Sequence, residues 1–376
     1  MVTTLPCTLT SFLLPFSAYF RSIGWQVDAM SYEISRDPKC VQGFDHVWDV
    51  EWSRNPLDPR NLWKTPGKIQ EIVLREKYDI IHVHTPVAAF VTRYALKGLR
   101  DRLNCKIIYT AHGFHFFKGG NFAKNTAFIK LEKLAGNWTD YLVTINHEDK
   151  VAALDYELVA LNRTHYMPGI GVDLKYYNRD TVPDAAVASV RQELGLGTET
   201  PLLLSVAEFT ARKHHVDAIA AFAQLARRDV HLALAGTGPL MAKMKELATK
   251  LGVIDRIHFL GNRSDIPVLM KAACANILVS AQEGLPRCVL ESLALEVPTI
   301  GTKIRGTQDL LEGGCGLLVD VGDVAGLADA MTWVLDRPQA ATKMAKLGYE
   351  RISTYDLEVV IQLHEQLYSE ALGVRF

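Results

Sequence analysis

The 376-residue sequence lacks several features that would place it in a special class of protein. No apolar run approaches the length of a membrane-spanning helix, and no repeat or low-complexity segment is present. The apolar start at residues 5–20 has no basic lead and is broken by Thr, Ser and Pro, which argues against a signal peptide. The net charge is only −1, and we expect no nucleic-acid partner.

Cysteine is scarce and scattered along the chain. The six cysteines show no paired spacing of the kind that zinc and redox sites need, so we expect buried free thiols in a reducing cytoplasm. They are Cys7, Cys40, Cys105, Cys274, Cys288 and Cys315.

The sequence does contain a regular alternation of strand-like apolar runs and helical segments, in two series. This alternation favours parallel sheets covered by helices on both faces, with ligands bound beyond the carboxyl ends of the strands. The predicted strands are residues 25–30, 79–84, 106–111 and 141–145, then 202–206, 230–235, 257–260, 275–280 and 298–300. A polar stretch at 178–201 separates the series, and the chain is long enough for two domains.

The most informative segment is residues 281–291, with the sequence AQEGLPRCVLE. It joins the predicted strand 275–280 to a predicted helix at 288–295, so Glu283 and Glu291 bracket a strand-to-helix turn. Free backbone N–H groups at such a turn suit a phosphate, and carboxylates accept hydrogen bonds from sugar hydroxyls. The segment therefore suits a nucleotide sugar, although two glutamates eight residues apart are, taken alone, more often surface charges.

Residues 283–294 (EGLPRCVLESLA) and 297–302 (VPTIGT) resemble the donor-site signature of retaining glycosyltransferases of family 4. The resemblance extends from about residue 79 to about residue 316. It implies an α/β protein of the GT-B fold, in which two Rossmann-like, doubly wound domains face a cleft. The expected divisions are an acceptor-side domain at 1–180, a nucleotide-sugar domain at 181–356, and a C-terminal helix at 357–376 that packs back on the first domain.

The resemblance also assigns roles in the donor site. It implies that Glu283 binds the sugar hydroxyls and Glu291 the ribose, while the backbone of Gly284, Leu285 and Pro286 lies against the donor.

Residues 207–215 (AEFTARKHH) resemble the phosphate clamp of the family, with Lys213 in the position of its lysine. The more usual arginine of the family, five residues earlier, is here Glu208, and whether Arg212 compensates is open. Gly236 in AGTGP and Arg263 in FLGNRSDI occupy segments that border the nucleotide in the family.

Residues 110–115 (TAHGFH) resemble the family segment in which a histidine touches the transferred sugar, which assigns that role to His112. His82, His84 and His115 have no such support and are candidates for positions around the site. A zinc site of histidines and a glutamate is the competing interpretation, but the usual helical spacing of its ligands is absent, and we expect no metal.

Positive charge is concentrated in residues 54–133, which hold fifteen Lys and Arg against six Asp and Glu, a net charge of +9. A solvated helical surface and a face directed at anionic lipid or a diphosphate-linked acceptor explain this equally well. The lipid interpretation places the protein at the inner face of the cell membrane, with Phe116 and Phe117 beside the acceptor entrance.

Together these features predict a metal-independent, retaining hexosyltransferase without a cofactor. The donor would be a nucleotide-diphosphate sugar, with a UDP-sugar expected, and the acceptor a polyprenyl-diphosphate-linked saccharide of capsule or exopolysaccharide synthesis. A sugar-nucleotide epimerase of the same architecture and a non-catalytic binding protein are the alternatives. The family usually opens with a full strand, so either the first strand here is very short or the start codon lies inside the gene.

Overall fold

The computed structural model describes residues 1–53, 58 and 60–374. The chain divides into two compact units, one formed by residues 1–170 with 358–376 and the other by residues 171–357. The division falls ten residues before the predicted boundary at 180/181, because residues 171–177 pack in the second unit, where Val172 and Tyr177 join its core.

The first unit is built on parallel strands. They are β1 (Ala29–Ser31), β2 (Val47–Asp49), β3 (Ile80–Val83), β4 (Lys106–Ala111), β5 (Tyr141–Thr144) and β6 (Thr164–Tyr166). Strands β3 to β6 form one sheet in chain order, and β1 pairs with β2. Val2 makes parallel bridges to both Met30 and Val83, so the N-terminal segment lies between β1 and β3 as a very short central strand.

Nine α-helices among the described residues accompany these strands. They are α1 (Pro6–Thr8), α2 (Leu14–Ser22), α3 (Pro38–Gly43), α4 (Arg60–Glu76), α5 (Pro86–Leu96), α6 (Arg100–Leu103), α7 (Phe122–Gly136), α8 (His147–Asp155) and, from the C-terminus, α17 (Leu357–Leu372). Helix α17 packs in the first unit, where Tyr368 contacts His82 and His364 contacts Phe16. The last two residues of the predicted segment 357–376 lie outside the described residues.

The second unit has one six-stranded parallel sheet in the order β12-β11-β10-β7-β8-β9. Its strands are β7 (Leu202–Val206), β8 (His231–Ala235), β9 (Ile257–Gly261), β10 (Ala275–Leu278), β11 (Thr299–Thr302) and β12 (Leu317–Val319). Its helices are α9 (Asp184–Glu193), α10 (His215–Gln224), α11 (Met241–Lys250), α12 (Ile266–Ala272), α13 (Arg287–Ala294), α14 (Thr307–Leu311), α15 (Val324–Asp336) and α16 (Pro338–Ile352). Central strands β7 and β10 are buried on both faces, as expected for a covered parallel sheet.

The predicted α/β architecture is confirmed, and the errors concern the margins of the sheets. Strands β2, β6 and β12 were not predicted, since each has only three residues and no fully buried position. The first predicted strand, 25–30, begins too early, because β1 starts at Ala29. In helix α4, Pro66 lies buried inside the helix.

The cysteines are free thiols throughout the described chain. Cys40, Cys105, Cys288 and Cys315 are buried as expected, whereas Cys7 is exposed.

Candidate functional site

Residues 207–215, called the clamp segment here after their resemblance to the phosphate clamp of the family, follow β7. The glycine-containing loop at residues 235–239 packs against this segment and shapes it. Gly236 and Gly238 both have positive φ, and a Cβ on either would overlap the backbone of residues 207–209. The amide of Phe209 donates to the carbonyl of Thr237 at 2.9 Å, which ties the two loops together. Gly236 therefore has a backbone role in placing the clamp segment, and only a residue without a side chain fits there.

Three predicted donor-site residues meet where the loops after β7 and β10 lie side by side. The Lys213 ammonium contacts Oε1 of Glu283 at 2.5 Å, and Nη1 of Arg212 lies 3.4 Å from Oε2. Glu283 is only 8% exposed, and Lys213 is largely buried. The amide of Ala281 donates to the Arg212 carbonyl at 2.8 Å, which joins the two loops directly. The arrangement holds a carboxylate and two cations at the carboxyl end of the sheet.

Arg305 is a further charged residue of this site that sequence reasoning missed. It follows β11, is 7% exposed, and its Nε donates to the carbonyl of Glu283 at 2.9 Å. The next residue, Gly306, has φ of 72° and lies so close to Gly284 that a Cβ would overlap its carbonyl. An arginine in the loop after a predicted strand, followed by glycine, was the available signal, since ligands bind beyond the carboxyl ends of such strands.

Gly284, Leu285 and Pro286 form the turn between Glu283 and helix α13. Pro286 is the N-cap residue, and its carbonyl accepts from the amides of Val289 and Leu290. The first amides of a helix point outward with the positive end of its dipole, which makes this turn suitable for an anion.

Glu291 lies on α13 in an environment different from that of Glu283. Its Oε1 accepts hydrogen bonds from the Tyr177 hydroxyl at 2.5 Å and from Nε of Arg287 at 2.7 Å. Burial raises the pKa of Glu291, and the nearby Arg287 opposes that rise. The carboxylate is thus held in a fixed orientation by two neighbours, one of which comes from residues just after the unit boundary.

Arg263 lies after the edge strand β9 and is engaged in ion pairs. Its guanidinium contacts Asp265 at 2.7 Å and Glu193 at 2.6 Å, and these bonds raise its pKa further. The structure therefore places Arg263 in a local acidic cluster, apart from the ion pairs of the Lys213–Glu283 group.

Four histidines cluster in the first unit. His82, His84 and His364 are buried, while His112 is partly exposed at the end of β4. Nδ1 of His84 lies 3.2 Å from Nε2 of His112, and the rings of His82 and His84 stack with centroids 4.1 Å apart. His82 is bonded through both ring nitrogens, to the Tyr368 hydroxyl at 2.6 Å and to Thr110 at 2.7 Å.

Burial keeps these histidines neutral. It lowers the pKa of His112 to about 4, with the nearby His364 adding to the effect, and it lowers the pKa of His364 itself to about 4. The pKa values of His82 and His84 are also lowered by burial, well below their usual range. Neutral imidazoles can both donate and accept a hydrogen bond, so His112 can serve a sugar hydroxyl at neutral pH.

The loop after His112 is anchored by helix α8. The amide of Phe114 donates to Asp149 at 3.2 Å and the amide of Lys118 to Glu148 at 2.8 Å. Phe116, expected beside an acceptor entrance, is instead 4% exposed and stacks on Phe114 in the core, because the loop turns it inward.

His115 and Phe117 lie on the same loop and are less buried than Phe116. His115 is exposed and its ring lies against Phe128, with centroids 5.1 Å apart, and Phe117 is half-buried.

The basic stretch is not one uniform face. Arg54 lies outside the described residues, and Arg93 is 1% exposed, with its guanidinium bonded to Glu132 at 3.0 Å and placed over the Tyr109 ring. Arg93 is therefore part of the core, and the expectation of a contribution from it to a surface was wrong. No helix within the described ranges is long and apolar enough to cross a membrane.

Helix α7, within this stretch, has a surface on which exposed apolar and basic side chains lie side by side. Its outer side carries Leu131 at 44% exposure and Leu134 at 48%, with the exposed residues Lys124, Ala127 and Lys130 along the same face.

Two aromatic side chains of the same unit are almost completely exposed. Phe122 at the start of α7 is 85% exposed, and Trp63 on α4 is 90% exposed. Exposed apolar side chains of this size, in a basic region, are typical of interaction surfaces.

Comparison with known proteins identifies the chain. The family model described as "Glycosyl transferases group 1" matches residues 187–351, and that described as "Glycosyltransferase Family 4" matches residues 12–174. The chain is 30% identical to the putative glycosyltransferase EpsD of Bacillus subtilis (strain 168) over 96% of its own length and 93% of that relative. It is a glycosyltransferase. The chain belongs to glycosyltransferase family 4.

Two further proteins are similar to this chain. The UDP-Gal:alpha-D-GlcNAc-diphosphoundecaprenol alpha-1,3-galactosyltransferase of Escherichia coli is 26% identical over 71% of this chain and 69% of its own. The crystal structure of Anabaena Alr3699/HepE in complex with UDP and glucose matches with a TM-score of 0.80 and 18% identity, over 98% of each chain. The likeness to solved structures confirms the two-domain α/β fold of GT-B glycosyltransferases.

Proposed function

We propose that this protein transfers a hexose from a UDP-sugar to a lipid-linked saccharide in the synthesis of a surface polysaccharide, with retention of the anomeric configuration. The observation that carries the proposal is the group formed by Lys213, Arg212 and Glu283 at the carboxyl end of the second sheet. The names of the relatives support the substrate classes, since one acts on a diphosphoundecaprenol-linked sugar and one structural neighbour binds UDP and glucose.

In this proposal, Lys213 and the amides at the start of α13 bind the diphosphate of the donor. In the structure, the Lys213 ammonium donates to Glu283, and two further N–H donors of the ammonium suit phosphate oxygens. As the bond between the anomeric carbon and the diphosphate oxygen breaks, negative charge grows on that oxygen, and the fixed positive charge stabilises it. The reaction requires no bound metal ion in this account.

Glu283 orients the sugar. Glu283 accepts hydrogen bonds from sugar hydroxyls through its carboxylate, which Lys213 and the backbone bond from Arg305 hold in place. The acceptor hydroxyl attacks from the face that the diphosphate leaves, its proton passes to a departing diphosphate oxygen, and the new glycosidic bond forms on that face. Positioning of the three reacting groups supplies much of the rate enhancement.

We further propose that the outer face of α7 rests on an anionic membrane surface. Lys124 and Lys130 would attract anionic headgroups, while Leu131 and Leu134 bury apolar area at the boundary. A lipid-linked acceptor is confined to that surface, so an enzyme held there meets it at high local concentration.

A donor screen tests the proposed reaction most simply. The purified protein is incubated with UDP-, GDP- and ADP-linked hexoses, with and without a polyprenyl-diphosphate-linked sugar, and the release of nucleoside diphosphate is measured. Slow hydrolysis of a UDP-sugar that accelerates with the lipid-linked acceptor is the expected result.

The two alternatives give different results in the same screen. An epimerase would yield the epimeric sugar in the absence of acceptor, and a binding protein would release no diphosphate from any donor. Either result would overturn the proposal.

A further inference from the structure

We propose that His84 is a positioning residue that fixes His112 as the tautomer with its proton on Nδ1. The inference rests on the proposed role of His112 at the transferred sugar. It concerns a residue for which neither the family resemblance nor the comparisons give a role.

The contact between the two rings is direct. Nδ1 of His84 and Nε2 of His112 are 3.2 Å apart, which is a hydrogen-bond distance for two ring nitrogens. His84 is 2% exposed and its ring stacks on His82, so it is held in place by packing as well as by this bond. Its backbone amide also donates to the carbonyl of Val2, which joins the end of β3 to the N-terminal segment.

Each neutral ring carries one proton, and the bond uses one of the two protons of the pair. In the first arrangement His84 donates through Nδ1–H and His112 accepts at Nε2, so His112 carries its own proton on Nδ1. In the second arrangement His112 donates through Nε2–H, and the proton of His84 must then lie on Nε2.

The other nitrogen of His84 decides between these arrangements. Nε2 of His84 is buried and has no hydrogen-bond partner among the described residues. The second arrangement would bury an unsatisfied N–H donor there, whereas the first leaves only an unprotonated nitrogen. Orphaned N–H donors are the rarer and costlier defect in protein interiors. The first arrangement is therefore favoured.

The surrounding histidines do not offer His112 another partner of this kind. Both ring nitrogens of His82 are bonded to hydroxyl groups, and Nδ1 of His364 donates to the carbonyl of Val360 at 2.8 Å. His84 is thus the neighbour through which the proton position of His112 is set.

The consequence for the reaction is that His112 presents a fixed hydrogen-bond donor to the sugar. Because Nε2 of His112 is engaged by His84, the ring presents Nδ1–H, which donates to an oxygen of the sugar rather than accepting from a hydroxyl. Loss of His84 would allow the other tautomer, and His112 would then present a lone pair in place of that donor. We expect this to reduce kcat more than it raises KM.

Nuclear magnetic resonance of the full-length protein labelled with ¹⁵N-histidine tests the inference without any substrate. Two-bond couplings in a long-range ¹H–¹⁵N spectrum distinguish the tautomers, and the signals of His112 are those missing from H112Q. We expect the Nδ1–H pattern for His112 in the wild type. An Nε2–H pattern there would overturn the proposal, whatever the activity of the protein.

Two substitutions of His84 extend the test. In H84N the amide group keeps a donor near the position of Nδ1. We expect His112 to keep the wild-type tautomer and kcat to stay within threefold of the wild-type value. In H84L the donor is lost, and we expect a mixture of tautomers and a kcat at least tenfold lower. Equal activity of the two variants would contradict the positioning role.

If H84L does not fold, the wild-type spectrum and H84N still decide the question. Failure of the proposed transferase function would be recognisable separately, as absence of sugar transfer by a protein whose His112 shows the Nδ1–H pattern.

Discussion

Glu283 and Lys213 form an ion pair within a largely buried group, and each is the other's main charged partner in this structure. A donor that binds here would place a diphosphate beside Lys213 and sugar hydroxyls beside Glu283. Binding of a diphosphate by Lys213 would therefore involve a partial exchange of partners within this pair.

The substitution Glu283→Gln should leave the fold intact and weaken the hold on the sugar. It removes the charged acceptor of the hydroxyl hydrogen bonds, and charge-assisted bonds contribute about 1.5–3 kcal/mol. We therefore expect kcat/KM to fall on the order of ten- to a hundredfold, measured with the donor found in the screen. Transfer at the wild-type rate by a folded variant would refute the assignment of Glu283.

The substitution Lys213→Ala should weaken binding of UDP more than binding of uridine, because the proposed partner of Lys213 is phosphate. Titration calorimetry with both ligands measures the difference. Lys250→Ala, which removes an exposed lysine at the end of α11 in the same unit, is the matched control and should change neither affinity. Equal losses for UDP and uridine in Lys213→Ala would show that the residue does not bind the diphosphate.

The buried histidines predict a loss of stability in mild acid. Their folded-state pKa values lie below the value of about 6.5 in an unfolded chain, so the unfolded state takes up protons first as the pH falls. The contribution of these histidines to the free energy of unfolding is then fully present above pH 6.5. Below that pH it decreases by about 1.4 kcal/mol per pH unit for each such histidine. Urea unfolding between pH 7.5 and 5 measures this slope.

The variant His364→Phe isolates one of these contributions. Phenylalanine fills a similar space beside Phe16 but cannot take up a proton, so the slope below pH 6.5 should become shallower by one proton. An unchanged slope would mean that His364 is not neutral in the folded protein.

Among the elements, the central strands and the turn from β10 to α13 were predictable from the sequence, whereas the short strands at the margins of the sheets were not. Strands β4 and β7 have the predicted bounds because buried central strands are continuous apolar runs. The short strands β2, β6 and β12 give no such signal, since their residues are only partly buried.

The same limit applies to the residues of the candidate site. Local sequence placed Glu283 and Lys213 in the loops that follow two predicted strands, but their contact depends on the neighbouring positions of β7 and β10 in the sheet. The strand order β10-β7-β8 cannot be derived from the alternation alone. After β9 the chain crosses back over the sheet, so that β10 pairs with β7 rather than with β9. The neighbours of Glu291, and the contact of His84 with His112, depend likewise on packing between distant segments.

Helix α7 is expected to bind anionic lipid through its exposed lysines. Reversing charge with Lys124→Glu and Lys130→Glu should abolish binding to vesicles that contain anionic lipid, because each basic residue near such a surface contributes about 1 kcal/mol. Co-sedimentation at low and high salt measures the effect, and wild-type binding should decrease as salt screens the charges.

A matched control removes the effect of net charge. Lys343→Glu with Lys346→Glu makes the same change of charge on the exposed face of α16 in the second unit and should leave vesicle binding intact. Equal loss of binding in both double variants would refute a specific role of α7.

At the scale of the whole molecule, the chain combines two α/β units whose candidate residues differ in chemistry. The second unit holds the charged group suited to a nucleotide diphosphate, and the first holds neutral histidines and the basic helix α7. This division is consistent with membership of glycosyltransferase family 4, in which the chain matches one family model in each unit.

We propose that the chain transfers a sugar with retention of the anomeric configuration, and the configuration of the product tests this proposal. The protein is incubated with an α-linked UDP-hexose and a polyprenyl-diphosphate-linked sugar, and the new linkage is examined by proton nuclear magnetic resonance. We expect an α-linked product formed together with one equivalent of UDP. A β-linked product, or consumption of the donor with no sugar joined to the acceptor, would contradict it.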